Sequence, residues 1–194
     1  MKPPAAALAT IAAALLCSST PGEPRDAPGA PLKYTSDGQL NRPEHYREWV
    51  FLTSGFDMSY AAGTQVDHHM FDNVFVNPDA YRVFMASGSW PDQTVLVIEI
   101  RGAEDRGSIN KSGHFQGAKV VGLEVHVKDA ARFPGKWAFF EFADSSPVKV
   151  LPQSDACYSC HAEHGAVDTT FVQFYPTLLP IARGKGTLSA DPRP

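Results

Sequence analysis

The chain has 194 residues, 43% of them hydrophobic and 20% charged, with 12 Phe, 6 Tyr and 3 Trp. That is enough apolar material for one domain with its own core, and it excludes a disordered or fibrous chain. Lys and Arg total 17 against 21 Asp and Glu, net −4 with no basic run, so the electrostatic footprint of a nucleic-acid binder is missing.

Taken from the start, Met1 and Lys2 precede an apolar stretch over 5–17 that falls short of the ~20 residues needed to span a bilayer. Residues 1–19 therefore read as a secretory signal peptide, removed on export to the periplasm or beyond. Leu16, where a lipoprotein site wants a small residue, argues against lipidation at Cys17. Residues 20–33 are Pro/Gly-rich and predict a linker, 34–180 the domain, and 181–194 a tail.

Within the domain, Asn41, Pro43 and Glu44 resemble a helix start, and Tyr46, Trp49, Val50 and Thr53 recur at helical spacing, which predicts a helix over 42–53. Phe71, Asn73 and Phe75 alternate with Asp72, Val74 and Val76 as a strand does. Asn77-Pro78-Asp79 then opens a second helix, whose stripe is Tyr81, Phe84 and Met85 and whose stop is Gly88. The segments 94–100, 121–127 and 137–142 are β-branched, alternating or aromatic, and turn residues separate them. The expected fold is mainly β with flanking helices (α+β), built on one antiparallel sheet.

Cys157-Tyr158-Ser159-Cys160-His161 is the C-x-x-C-H pattern of covalent haem c attachment. Two thiols about one helical turn apart meet the two vinyl-derived carbons on one haem edge, and the adjoining His161 places its imidazole beneath the iron. With three Cys and seven His in the chain, a chance match is expected on the order of two times in a thousand such sequences. Two other uses of these residues compete: a Cys157–Cys160 disulfide, which leaves His161 unexplained, and a zinc site with His164, for which adjoining Cys and His are poorly placed. Only 33 residues and no Met follow His161, unlike a small electron-transfer cytochrome. The β pattern in turn excludes a four-helix cytochrome c′.

A β-rich domain ending in this motif resembles the cytochrome P-460 family, including its cytochrome c′-beta members, over roughly 34–180. The resemblance rests on Tyr46-Arg47-Glu48-Trp49-Val50, Val74 to Tyr81, Asp92 to Val97, Gly122-Leu123-Glu124-Val125, Val127-Lys128-Asp129, Trp137-Ala138-Phe139 and Phe171 to Pro176. It implies one covalently attached haem per chain, an axial histidine from the motif, an otherwise open iron and a homodimer. In members that oxidise hydroxylamine, a lysine of a Val-x-Val-Lys-Glu strand bonds to the macrocycle. Here the strand reads Val95-Leu96-Val97-Ile98-Glu99. Isoleucine has no nucleophilic nitrogen, so hydroxylamine oxidation is disfavoured, and Lys111 and Lys119 are no clear substitutes.

Leu96, Ile98 and Ile100 share a strand face and are expected to wall the haem. His69, Phe71 and Phe75 share parity, so the distal candidates are His69, Phe71 and Ile98, with His68 an alternative to His69. His114, His126 and His164 rank lower, and Glu99 and Glu124 are candidate proton relays or solvated strand residues. Two classes of function follow: binding of a small diatomic or nitrogen-oxide ligand such as nitric oxide, or haem oxidoreduction of a nitrogen oxide or peroxide. Electron transfer to a redox partner enters if a distal histidine ligates iron.

Overall fold

A computed structural model describes residues 32–59 and 67–189. The expected signal peptide, Cys17, nearly all of the linker and the last residues of the tail lie outside them. Five strands, β1 (Val50–Phe56), β2 (Met70–Val76), β3 (Val95–Glu104), β4 (Phe115–Lys128) and β5 (Trp137–Phe142), form one antiparallel sheet in chain order. Three helices flank it: α1 (Pro78–Ser87), α2 (Ala156–His164) and α3 (Leu179–Lys185). The architecture is the α+β arrangement expected, mostly β.

A core packs on each face of the sheet, and strand alternation decides what each receives. On β3, Val95 and Val97 enter one core with Phe75, Val125, Val127 and Phe140, closed over by Leu40, Tyr46 and Trp49 from the N-terminal segment. Leu96 points the other way, into a second core with Val74, Val76, Phe139 and the helical layer of Phe84, Val172, Leu178 and Ala182. The in-register pairs Val74↔Ile98 and Ile98↔Glu124 carry the same facing across three strands.

Residues 42–53 do not form the expected helix. His45 enters a single 3-10 turn at φ 55, Tyr46–Glu48 make that turn, and Trp49 leaves extended into β1. The residues that mimic a helical stripe divide between the two cores: Tyr46 and Trp49 into one, Val50 against the other. Pairing of Val50 with Val76 and Phe51 with Phe75 overrides the local period. A register shift between Phe51 and Thr53 is a bulge at Leu52, and it turns Thr53 toward the helix-side face.

The second helix forms as its sequence directs. Pro78 occupies the first turn, and Gly88 takes the left-handed stop at φ 76, its N–H on the Phe84 carbonyl. Its buried stripe is Ala80 and Phe84, with Met85 exposed. At the C-terminal end, α3 crosses the boundary expected at 180. Ala182 is buried, Thr187 donates to the Gly88 carbonyl at 2.6 Å and Ser189 N to the Ala166 carbonyl at 2.7 Å, so the packed chain runs to Ser189.

Glu99 is a structural carboxylate, not a cavity relay. Strand alternation turns it away from Ile98 and into the far core, fully buried. Tyr46 Oη donates to it at 2.6 Å, Arg47 at 2.8 and 3.0 Å, and Arg101 at 2.6 and 3.2 Å. Burial pushes its pKa up, but the bonds from Arg101, Arg47 and Tyr46 outweigh this and hold it at about 2, against an ordinary 4.5. A depressed carboxylate stabilises the fold above its unfolded pKa, and that stabilisation, at most about 3 kcal/mol, is lost as pH falls from 4.5 toward 2. Glu99→Gln is expected to cost about 2–4 kcal/mol at pH 7 by leaving Arg101 without its counter-charge. It also flattens the acid limb of the urea-unfolding free energy, and a variant profile parallel to the parent's would refute the assignment.

Candidate functional site

The chemistry-bearing helix is α2. Asp155 caps it, accepting from Cys157 N at 2.9 Å, so the helix opens immediately before the first thiol. Cys157 and Cys160 are both unbonded and half-buried. Burial, then the hydrogen bond with Asp155, pushes the Cys157 thiol up to about 12. Tyr158, between the two cysteines, sets its ring edge-on to Phe139 of β5 at 4.6 Å and donates to the Leu151 carbonyl, fixing the helix over the sheet.

His161, in the last turns of α2, is 8% exposed. Its ring is wedged among Phe171 at 4.3 Å, Phe139 at 4.7 Å and His126 at 4.7 Å. Nδ1 lies 2.7 Å from the Thr169 carbonyl, which accepts only from a protonated nitrogen. Nε2 is thereby the lone-pair nitrogen of the neutral ring. Burial lowers the His161 pKa and the carbonyl bond opposes it, with a net lowering that keeps the ring neutral.

The Thr169 carbonyl is supplied by an unusual turn. Ala166 N donates to the Thr170 carbonyl, Thr170 N donates back to Val167, and between them Asp168 at φ 47 and Thr169 at φ 61 are consecutive left-handed residues. Such a conformation costs on the order of 1–3 kcal/mol per residue, and a β-branched threonine tolerates it poorly. Gly165, at the end of α2, permits the close approach. A Cβ there would lie 2.6 Å from the His161 carbonyl oxygen and from the Thr169 backbone.

One cavity opens beside this imidazole. Its helix-side wall is His161, Thr170, Phe171, Phe174 and Tyr175, and its sheet-side wall is Thr53, Asp72, Val74, Ile98, Ile100, Glu124 and His126, with Met58 at one end. The wall expected of β3 is there as Ile98 and Ile100, while Leu96 lies deeper in the core. Burial, then nearby Glu141 and Asp72, raises the Glu124 pKa; burial, then Asp57, raises that of Asp72. His126 is buried, its pKa lowered first by burial and then by His161, so it stands as a second neutral imidazole.

Other expected site residues lie elsewhere. Phe71 and Phe75 alternate with Asp72 and Val74, so they face away from the cavity; Phe75 packs on Tyr46 at 5.8 Å. The expected shared pocket for His69, Phe71 and Phe75 is not this cavity, because strand parity turns the two phenylalanines to the opposite face. His69 pairs with Asp57 and stacks on Phe56 at 5.5 Å and near His114 at 4.8 Å, in an exposed cluster that does not line the cavity. His68, Lys111 and Lys119 are exposed. His164 is exposed beside Glu163, so it does not converge with Cys157, Cys160 and His161 as a zinc site requires. Asp72 was legible from parity with Val74 once the face was known. The Thr169 carbonyl, a backbone group on a turn, has no residue-type signal.

These groups fit a haem. The donor set is a neutral, oriented imidazole with a free Nε2, two thiols on the same helix, and an adjoining cavity with an apolar share of its wall. The sequence matches the family model for Cytochrome P460 over residues 43–172, about two thirds of the chain. No curated protein gives a significant match. The chain belongs to the cytochrome P460 family and is a haem protein.

Gly165→Ala is expected to destabilise the protein by about 1–3 kcal/mol, because the contact is with backbone that has no room to yield. Chemical unfolding measures the loss, and a change below about 0.5 kcal/mol would show the turn to be more pliant than its geometry implies.

Proposed function

We propose that this chain is an exported, mono-haem c-type cytochrome that binds small neutral diatomics such as nitric oxide, with a homodimer as its working assembly. In this reading Cys157 and Cys160 form the two thioethers and His161 holds the iron through Nε2. Bound haem supplies an iron with an open coordination position and a one-electron couple.

The observation that carries the reading is the wall facing His161. Val74, Ile98 and Ile100 offer no lone pair, so they exclude water and disfavour charged ligands without competing for the metal. Ile98 occupies the strand position where the family's hydroxylamine-oxidising members carry the cross-linking lysine. Phe171 packs on His161 and shares the helix-side wall with Phe174, restricting the size of what enters.

A second reading, haem oxidoreduction of a peroxide or nitrogen oxide, is favoured by one observation: Asp72 and Glu124 both reach the cavity, and burial raises both pKa values. A carboxyl with a raised pKa holds its proton more readily, which suits it to serve as a general acid toward a reacting oxygen. Glu124→Gln separates the two: gas affinity holds if binding is the function, whereas turnover falls about a hundredfold if a proton is delivered. Electron transfer through iron-bound His69 has less support, since that ring is engaged with Asp57, Phe56 and His114.

Two outcomes test the reading. Haem stays with the protein in acid acetone, and Cys157→Ala with Cys160→Ala releases it; intact mass equals the mature chain plus one haem attached through two thioethers. Freely extracted haem, or a ferrous band far to the red of an ordinary haem c, overturns this assignment. Nitric oxide added to the reduced protein shifts the visible spectrum at once, and His69→Ala leaves the electron paramagnetic resonance spectrum unchanged. A bis-histidine signal lost in that variant would replace gas binding by electron transfer.

A further inference from the structure

The left-handed turn at Asp168 and Thr169, closed by its own backbone bonds, is also tied from outside. Lys128, the last residue of β4, sends its ammonium to the Asp168 carboxylate and to the Trp90 carbonyl at 2.7 Å, with its side chain 14% exposed. Trp90 completes the tie, donating from Nε1 to Thr170 Oγ1 at 2.8 Å, and that hydroxyl donates to the Val167 carbonyl at 2.7 Å. The strained pair is thus tied at Asp168 to the end of β4 and at the following Thr170 to the buried Trp90. The anchored carbonyl is the one that orients His161.

We propose that Lys128 and Asp168 are a positioning pair: their contact holds the turn in its left-handed form and so sets the orientation of His161 and the strength of its bond to iron. The inference rests on His161 being the iron ligand and goes beyond it. The reasoning is mechanical and electrostatic. A carbonyl that accepts from Nδ1–H draws the proton outward and makes Nε2 a better donor. Without the tie, Asp168 and Thr169 relax toward ordinary backbone and the carbonyl leaves the ring. Lys128 is partly desolvated, so its pairing is less screened than a surface ion pair. Neither residue touches the cavity, so the effect reaches iron only through the turn.

The test uses the haem-loaded protein and two spectroscopic readouts, the ferrous iron–histidine stretch in resonance Raman and the reduction potential. Lys128→Met and Asp168→Asn are each expected to lower the stretching frequency. They should also raise the reduced-to-oxidised ratio at fixed poise by about tenfold, the low end of the effect of outer-shell partners, which is about 59 mV for a one-electron couple. Asn tolerates left-handed backbone, so Asp168→Asn removes the charge without changing the turn's intrinsic preference, and it supplies the readout if Lys128→Met fails to load haem. Lys128→Arg, which keeps both donations within reach, should restore the parent values. Thr169→Gly removes the strain, so adding it to Lys128→Met should recover most of the shift. Unchanged stretch and potential in both single variants would overturn the proposal, as would a shift that persists in full with Thr169→Gly. A parent protein with no iron–histidine stretch would instead overturn the ligand assignment itself, a distinguishable failure.

Discussion

Strand β3 sits at the centre of the sheet with protein on both faces, and its alternation is the constraint on which the rest depends. Each residue of 95–100 is committed to one core or the other. Val95, Val97 and Glu99 go to the N-terminal side, Leu96, Ile98 and Ile100 to the helix side. The register with β2 and β4 copies that division to Asp72, Val74 and Glu124. A slip of one residue would place Glu99 in the cavity beside His161 and Ile98 against Tyr46 and Arg47. The Glu99 carboxylate, fixed by Tyr46, Arg47 and Arg101, penalises that slip because it has partners on one face alone.

Against that wall the helical layer delivers one imbedded imidazole, and its neutrality has two sources. Burial removes the solvent that would support an imidazolium, and the Thr169 carbonyl fixes which nitrogen carries the proton. The arrangement sets backbone strain at Asp168 and Thr169 against a fixed orientation of the ring. The opposing wall is mixed in character. Ile98 and Ile100 are apolar, whereas Glu124 and Asp72 give it two groups able to carry a proton. The two proposed functions would draw on overlapping halves of one cavity, the apolar residues of β3 for ligand binding and the two carboxyls for proton transfer.

The local signals that held were those with a stereochemical cause. Asn77-Pro78 and Gly88 bounded α1 because proline and glycine restrict φ whatever their surroundings. The region 42–53 misled because three-four spacing of apolar residues also arises when a turn and a strand feed two different cores. Phe71 and Phe75 misled for a related reason: parity showed that they share a face without showing which face, and the nearby histidine suggested the wrong one.

By itself the sequence determined the C-x-x-C-H motif, the strand character of β2 to β5, α1 and the want of a nucleophile at Ile98, since each is a matter of residue identity or near-neighbour spacing. The tertiary structure alone decided that Asp72 and Glu124 meet at one cavity, that His126 lies against His161, and that Glu99 is buried with two arginines. It also decided that a strained backbone carbonyl orients the imidazole. Most of these contacts join segments separated by eight to more than fifty positions, and the one that orients His161 runs through a backbone carbonyl, a group that every residue carries. Pattern along the chain does not encode them; the packing of two cores on one sheet does.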